Sequence, residues 1–433
     1  VRPDDDERAL LAAVADDLVD RARAALADHG VDGDAVRVGS TARDTWLAGD
    51  RDIDLFVRLP ADLARADLER LGLAVGHAVL PDGHEEYAEH PYVRGTIEGF
   101  DVDLVPCYDV DAATAARSAV DRTPFHTAWL DGRIDDLTAD VRVAKQFLGA
   151  VGAYGSNLKT RGFSGYLTEL LVLEHEGFAG LVTAAAEWHP PVRYDPEGHG
   201  TATFDDPLVV IDPTDPERNV AAVCAPEQVA RLQHHARELL RAPRVEAFFG
   251  EDPAPLSAAA VRDHVERRGT DPVAVVFDAP DVVDDQLYPQ LRRSLDGVRS
   301  ALDRNGFAPL RAATFADERG VLFVECGTAE VAAVERHEGP PVAVAEHARG
   351  FLDAHRDADY GPFLDGDRYV VERRREHTTP ADLLRSDAVL DVALGARVED
   401  ALRDDYTVLA GTDVAALADE FGVALARYFE PTV

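Results

Sequence analysis

Two pairs of aspartates, Asp52/Asp54 and Asp101/Asp103, are the residues of this chain best placed to do chemistry. Each pair sits in an alternating apolar run, Asp52-Ile53-Asp54-Leu55-Phe56-Val57 and Phe100-Asp101-Val102-Asp103-Leu104-Val105. Successive strand side chains point to opposite faces, so Asp52 and Asp54 share one face while Ile53, Leu55 and Val57 share the other. Side-by-side carboxylates repel unless a cation lies between them. Hard oxygen ligands suit Mg²⁺, above all when substrate phosphates complete its shell. If the two strands are neighbours, Asp101 or Asp103 joins Asp52 and Asp54. Three carboxylates can hold two divalent ions about 3.5–4 Å apart, the arrangement that serves in-line phosphoryl transfer.

Ahead of the first pair stands Gly39-Ser40, with Arg43 one turn further on. Glycine lets the backbone approach a phosphate, and a helix N-terminus offers free N–H groups to it. The Ser40 hydroxyl can bond a phosphate oxygen. The expected local order is a Gly-Ser turn, about two helical turns, then the Asp52–Val57 strand.

The elements that must position these groups read as mixed α and β. Residues Glu7 to His29 carry Leu10, Leu11, Val14, Leu18, Ala22 and Leu26 at helical spacing. Ala35–Val38 is a short strand entering Gly39, Ala61–Gly76 a helix, and Tyr92–Ile97 and Phe100–Pro106 are strands. From Asp136 to about Arg241 the periodicity is mostly helical, with helices over Val141–Val151 and Ser164–Glu176. The Pro-, Asp- and Gly-rich stretch from Pro190 to Asn219 reads as loops around a short Leu208–Ile211 strand. Further on, Val273–Phe277 is a strand, Asp285–Asn305 a long helix, and Leu310–Phe315 and Val321–Cys326 are strands. That order suits a small open sheet with helices on one face. Val342–Arg385 reads as an insertion of short helical pieces, and Asp413–Phe429 as a closing helix. The fold class is therefore α+β, with segments 1–135, 136–257 and 258–433, the last interrupted at about 342–385.

Composition constrains the setting. The chain has 433 residues, 81 Asp+Glu against 44 Lys+Arg, and a formal net charge of -37. Self-repulsion of that size weakens a compact state in dilute salt, so the surface reads as adapted to concentrated salt, as in halophilic proteins. Lys145 and Lys159 are the only lysines. Cys107, Cys224 and Cys326 form no zinc-like spacing, which suits free thiols in a reducing cytoplasm. The acidic opening Val1-Arg2-Pro3-Asp4-Asp5 lacks the pattern of a secretory leader, and no run approaches 18 apolar residues. The expected location is the cytoplasm, with no membrane partner.

Gly39-Ser40, Arg43, Asp52-x-Asp54 and the distant Asp103 resemble the signature of the nucleotidyltransferase superfamily. Thr123-Pro124-Phe125-His126-Thr127, Val143-Ala144-Lys145-Gln146-Phe147-Leu148 and Gly152-Ala153-Tyr154-Gly155 narrow the likeness to the archaeal, class I, CCA-adding enzymes. So do Arg161-Gly162-Phe163-Ser164-Gly165-Tyr166-Leu167-Thr168-Glu169 and Ile211-Asp212-Pro213-Thr214-Asp215-Pro216-Glu217-Arg218-Asn219-Val220. The resemblance spans nearly the whole chain.

That likeness implies an N-terminal, palm-like nucleotidyltransferase head (1–135), a helical neck that recognises the base (136–257), and a C-terminal body of small-sheet α/β type. The body would carry an inserted, mostly helical tail and bind tRNA. Asp52, Asp54 and Asp103 would be catalytic and hold Mg²⁺, with Asp103 near the attacking 3′-hydroxyl. Family members often carry Glu where this chain has Asp52. Ser40, Arg43, His126, Lys145 and Tyr154 would bind the incoming nucleotide, mainly its triphosphate, and Arg218 would select its base. A compact ammonium such as Lys145 suits a phosphate, and the fork of Arg218 suits carbonyl and ring-nitrogen acceptors.

The implied reaction is template-independent addition of CCA to the 3′ end of tRNA from CTP and ATP, releasing diphosphate. Poly(A) or other RNA-tail synthesis on the same scaffold, and a non-catalytic RNA-binding role, are the alternatives. A homodimer stays open. The strong negative charge sits awkwardly with an RNA partner, since phosphate contacts normally dominate affinity. Two arginine groups could supply local contacts: Arg292, Arg293, Arg299 and Arg304 on one helix, and the run Arg373-Arg374-Arg375.

Overall fold

The computed structural model describes residues 1–87 and 89–433. They form two compact units, Val1–Glu251 and Asp252–Val433.

The first unit opens with helix α1 (Asp5–Asp28), strand β1 (Asp34–Val38), the single turn α2 (Gly39–Ala42), strand β2 (Asp52–Pro60) and helix α3 (Arg65–Val79). Strands β3 (His84–Tyr87), β4 (Pro91–Ile97) and β5 (Phe100–Asp109) follow. The sheet order is β1-β2-β5-β4-β3, with β2 and β5 parallel and the other neighbours antiparallel. Alternation decides what each face does. Ile53, Leu55, Val57 and Leu59 join Val102 and Leu104 against Leu18 and Ala22 of α1 and Leu68 and Val75 of α3. Each fully buried Leu or Val there contributes about 1.5–3 kcal/mol. The opposite face holds a small apolar cluster of Val38, Phe56 and Cys107, and beyond it the aspartates. Gly72 lets α3 lie directly on the sheet, because a Cβ there would meet Pro106 at 2.5 Å.

The rest of the unit is mainly helical: α4 (Thr123–Leu130), α5 (Thr138–Ala150), α6 (Gly165–Glu174), α7 (Phe178–Ala186) and α8 (Pro226–Arg241). Between the last two, β6 (Val192–Tyr194), β7 (Leu208–Asp212) and β8 (Asp215–Asn219) form a three-stranded sheet. Phe147, Leu148, Leu167, Leu170 and Leu171 are central to the apolar core. Two expectations change. The helix after Gly39 is one turn, not two: Asp44 takes a left-handed φ of 55°, and the Thr45 N–H folds back on the Ser40 carbonyl. The Asp215–Asn219 loop is a strand, which Asn219 holds in place by accepting from the Val210 and Ala221 N–H groups.

The second unit contains α9 (Ala258–Arg268), β9 (Asp271–Asp278), α10 (Asp284–Arg304), β10 (Pro309–Ala316), β11 (Arg319–Cys326) and β12 (Val334–Pro341). It continues through α11 (Ala345–Ala354), β13 (Tyr360–Asp365), β14 (Arg368–Arg374), α12 (Pro380–Arg385), α13 (Ala396–Asp404), β15 (Thr407–Ala410) and α14 (Ala418–Phe429). Its main sheet runs β10-β11-β9-β15. Helices cover both faces, not one. Val273, Val275 and Phe277 pack with Leu287 and Leu291 of α10, whereas Ala274 and Val276 pack with Val261 of α9 and Leu425 of α14. The unbroken apolar run of β9 has this cause: a strand buried on both sides has no polar face to alternate with.

The insertion is a further correction. It is built on an antiparallel sheet, β12-β14-β13, on which α11 lies, and that sheet begins at Val334, before the expected boundary.

Candidate active site

The parallel pairing of β2 with β5 sets Asp52 opposite Asp101 and Asp54 opposite Asp103. Asp54 and Asp103 therefore meet on the face away from α1 and α3. Asp101 sits toward solvent and accepts from the Thr96 hydroxyl at 3.0 Å, so its twin Asp103 is the one turned to the site. Oδ1 of Asp103 is buried and has no hydrogen-bond partner among the described residues. The Arg94 guanidinium, from the facing position on β4, stands 3.5 Å from it.

Electrostatics follow from this crowding. Burial, then the charges of Asp103 and Asp52, raise the Asp54 carboxyl to about 6, against a lowering by Arg43. Asp103 is also raised, by burial first, with Arg94 opposing. Asp50 is raised by burial and by Asp52. A cluster that holds protons this tightly also favours a metal cation in their place. Gly39 makes the approach possible: its φ is +74°, and a Cβ on it would overlap Asp54 Oδ2. Among the described residues, no three His, Cys, Asp or Glu side chains form a ready metal cage by themselves. The set fits a hard divalent ion that takes its remaining oxygens from phosphate and water.

Ser40 lies on α2, and its hydroxyl makes no hydrogen bond among the described residues. It is not the helix cap; Val38 occupies that position. Arg43 is spent differently from expectation. Its Nε and Nη2 both donate to Glu169 Oε2, at 3.0 and 2.7 Å, and its Nη1 donates to Thr127 Oγ1 at 3.0 Å. Lys145 is 2% exposed. Its Nζ donates to the Thr45 carbonyl at 3.0 Å and lies 3.6 Å from Glu169 Oε1. Burial lowers its pKa, and Glu169 partly restores it. Arg43 and Lys145 thus sit in a buried ion cluster around Glu169 rather than open to a ligand. Lys145 lies close to Tyr154: a Cβ on Gly165, the first residue of α6, would stand 3.2 Å from the Tyr154 hydroxyl and 3.6 Å from Lys145 Nζ.

The remaining residues gather around Asp212, which is 0% exposed. His126 Nε2 donates to Asp212 Oδ2 at 2.8 Å, and Arg218 Nη1 donates to the same oxygen at 2.6 Å. Thr214 donates its N–H and hydroxyl to Oδ1 at 2.9 and 2.8 Å. Burial alone would raise the Asp212 carboxyl, but the His126 hydrogen bond and charge, Thr214 and Arg218 outweigh it and hold it below the usual carboxylate range. Burial lowers the His126 pKa, with Asp212 opposing, so the ring is neutral near pH 7. Tyr166 stacks on it, with ring centroids 4.2 Å apart. Arg218 borders a cavity of about 730 Å³ that also touches Arg122, Phe204 and Asn219.

All nine residues expected at the site lie in the first unit. The structure adds Glu169, Thr45, Asp50, Asp212 and Tyr166. Glu169 and Asp212 stood in the two stretches that carried the family likeness, but nothing in a linear reading indicated which ions they would hold. Asp50 continued the i, i+2 spacing of the aspartates.

The sheet, its paired aspartates and the Gly-Ser turn define a nucleotidyltransferase, and residues 19–126 match a family model described as nucleotidyltransferase domain. Residues 139–249 match the second domain of tRNA nucleotidyltransferase, and residues 268–411 the C-terminal domain of CCA-adding enzyme. The CCA-adding enzyme of Haloarcula marismortui is 61% identical, over 99% of this chain and 96% of its own length. That of Halorubrum lacusprofundi is 61% identical, with the same coverage. The CCA-adding enzyme of Methanoregula boonei is 43% identical, over 99% of this chain and 93% of its own length. The chain belongs to the CCA-adding enzyme family.

Proposed function

We propose that this enzyme adds C, C and A to the 3′ end of tRNA from CTP and ATP, without a nucleic-acid template, releasing diphosphate at each addition. The observation that carries this reading is the β2–β5 register, which brings Asp54 and Asp103 together in a setting where both retain protons unusually well. Asp52, Asp54 and Asp103 would hold Mg²⁺, which when bound neutralises triphosphate charge and acidifies the attacking hydroxyl.

The chain's own groups do the remaining work. Asp103 Oδ1, which has no hydrogen-bond partner among the described residues, orients the 3′-hydroxyl of the RNA. The Ser40 hydroxyl, without a hydrogen bond among the described residues, and the Tyr154 hydroxyl bind phosphate oxygens, and the buried Lys145 ammonium near Tyr154 lends positive charge. Arg43 fixes α2 through Glu169 and adds positive charge near Asp54. Arg218 reads the base, and neutral His126 offers Nδ1 as an acceptor beside it.

In this reading residues 1–135 act as catalytic head, 136–257 as neck, and 258–433 as the tRNA-binding body with its tail. The two arginine groups of that body differ. Arg373 and Arg375 pair with Glu335, and Arg374 with Asp359. Arg293, Arg299 and Arg304 on α10 are exposed and have no ion pair among the described residues. The α10 set is the better candidate for RNA phosphates. At high ionic strength the repulsion of a -37 chain is screened within a few ångströms, so local contacts and shape can prevail. Among the described residues no helix is long and apolar enough to cross a membrane, and tRNA as substrate suits the cytoplasm.

The test is an extension assay in concentrated KCl with Mg²⁺, tRNA lacking its 3′ CCA, and labelled CTP or ATP. Growth by three nucleotides and then arrest supports the proposal. A long homopolymer tail would favour a tailing polymerase instead, and no growth would overturn both.

A further inference from the structure

Resting on the reading just given, we infer that Asp212 is a specificity-positioning residue, holding the base-reading Arg218 in one orientation by tying it to His126 of α4.

Arginine is a poor reader of bases unless something holds it. Its side chain carries about 2 kcal/mol of rotamer entropy, and an unpaired guanidinium is drawn to any nearby phosphate whatever the base. Asp212 removes both problems. Its carboxylate is wholly buried, so it cannot follow solvent. Each of its oxygens is committed: Oδ1 to the Thr214 N–H and hydroxyl, Oδ2 to His126 Nε2 and Arg218 Nη1. Its backbone is pinned as well, because the Asp212 carbonyl lies 2.9 Å from His199 Nε2.

With His126 neutral, the Asp212–Arg218 pair carries no net charge. The guanidinium is left with directional N–H donors and little long-range pull on a triphosphate. Its side chain is 38% exposed, so the donors not used by Asp212 remain available toward the cavity. A second tie runs beside the first: Arg122, just before α4, donates to Asp215 on β8 at 3.0 Å. The β7–β8 hairpin that carries Arg218 is thereby locked to α4 at two points.

The chemistry of the bases makes orientation decisive. On their pairing edges cytosine and adenine present a ring-nitrogen acceptor beside an amino donor, whereas uracil and guanine present a ring N–H at the corresponding place. A fixed N–H donor from Arg218 accepts the first pair and meets a donor in the second. A site built to hydrogen-bond its substrate discriminates strongly because a mismatch leaves buried polar groups unpaired. A displacement of about 1 Å can cost about 100-fold.

The test compares kcat/KM for CTP and UTP on tRNA lacking CCA, in the wild type, Asp212→Asn, Arg218→Ala and the double variant. Asp212→Asn is expected to lower the CTP-over-UTP ratio at least about tenfold, mainly through a raised KM for CTP. In the Arg218→Ala background the same change should alter the ratio less than about twofold. Should Asp212→Asn fail to fold, Thr214→Val, which removes one hydrogen bond to Oδ1 and keeps the charge, should shift the ratio in the same direction by a smaller factor. A scaffold role alone would reduce turnover on all nucleotides equally. An unchanged ratio in both variants while the wild type completes CCA, or effects of Asp212→Asn and Arg218→Ala that multiply independently, would overturn this inference and leave the proposed function standing. A wild type that extends no tRNA would overturn both.

Discussion

Glu169 receives two hydrogen bonds from Arg43, a residue 126 positions earlier, and neither side chain is more than 8% exposed. Lys145 lies on the other oxygen of the same carboxylate. One buried anion thus organises two cations, and through them α2, α5 and α6. Removing one partner of a buried pair leaves uncompensated charge, at a cost of about 3–5 kcal/mol. Glu169→Ala is expected to lose stability on that scale, and Glu169→Gln less. Denaturant unfolding at fixed KCl measures both; a loss under about 1 kcal/mol for Glu169→Ala would mean the cluster relaxes freely.

Asp54 gives a pH prediction whose sign is determined by its environment. Its folded pKa, about 6, lies above the ordinary aspartate value of 3.8. The stabilisation linked to it is complete below the unfolded pKa and is lost as pH rises through about 6. In chelator at pH 8, Asp54→Asn should therefore be at least as thermostable as the wild type, while its nucleotidyl transfer falls by about 100-fold or more. A metal must displace that proton. Apparent Mg²⁺ affinity should accordingly fall about tenfold per pH unit below 6 and level off above it, as read by Mg²⁺ titration of activity at several pH values.

Gly39 tests the closeness of the turn to the carboxylates. Alanine there meets both a positive φ, worth about 1–2 kcal/mol, and a steric overlap with the Asp54 carboxylate. Gly39→Ala should raise the Mg²⁺ concentration needed for half-maximal activity more than it lowers the melting temperature. Unaltered metal dependence would mean that α2 shifts as a whole.

The arginines of the second unit should separate in a salt titration. Replacing Arg293, Arg299 and Arg304 with Gln is expected to raise KM for tRNA and to lower the salt slope of tRNA binding by about one unit for each arginine–phosphate pair removed. Arg374→Gln, which breaks only a pair with Asp359 at 3.0 Å, should leave that slope unchanged.

The carboxylate pairs were legible because strand periodicity forces Asp52 and Asp54, like Asp101 and Asp103, onto one face. Which member of the second pair enters the site depended on register, and register depends on a partner strand that a linear reading does not contain. Asp215–Asn219 read as a loop because Asp, Pro and Asn are poor strand formers; the side chain of Asn219 supplies what propensity does not. The tail sheet escaped because two of its strands, β12 and β14, are rich in charge: Arg373 and Glu335 sit opposite each other in register and pair across it, so little apolar alternation marks the fold. Glu169 was hidden by its neighbours, an acid amid the apolar residues of a helix whose cationic partners arrive from distant segments.

The two lysines lead to a practical end. Lys145 is sealed in the Glu169 cluster, whereas Lys159 lies exposed in the loop before α6. Amine-directed crosslinkers and acylating reagents would therefore find one lysine on the outside of this protein. A label on Lys159 would report from the loop that lies between Tyr154 and Gly165, the two residues beside Lys145.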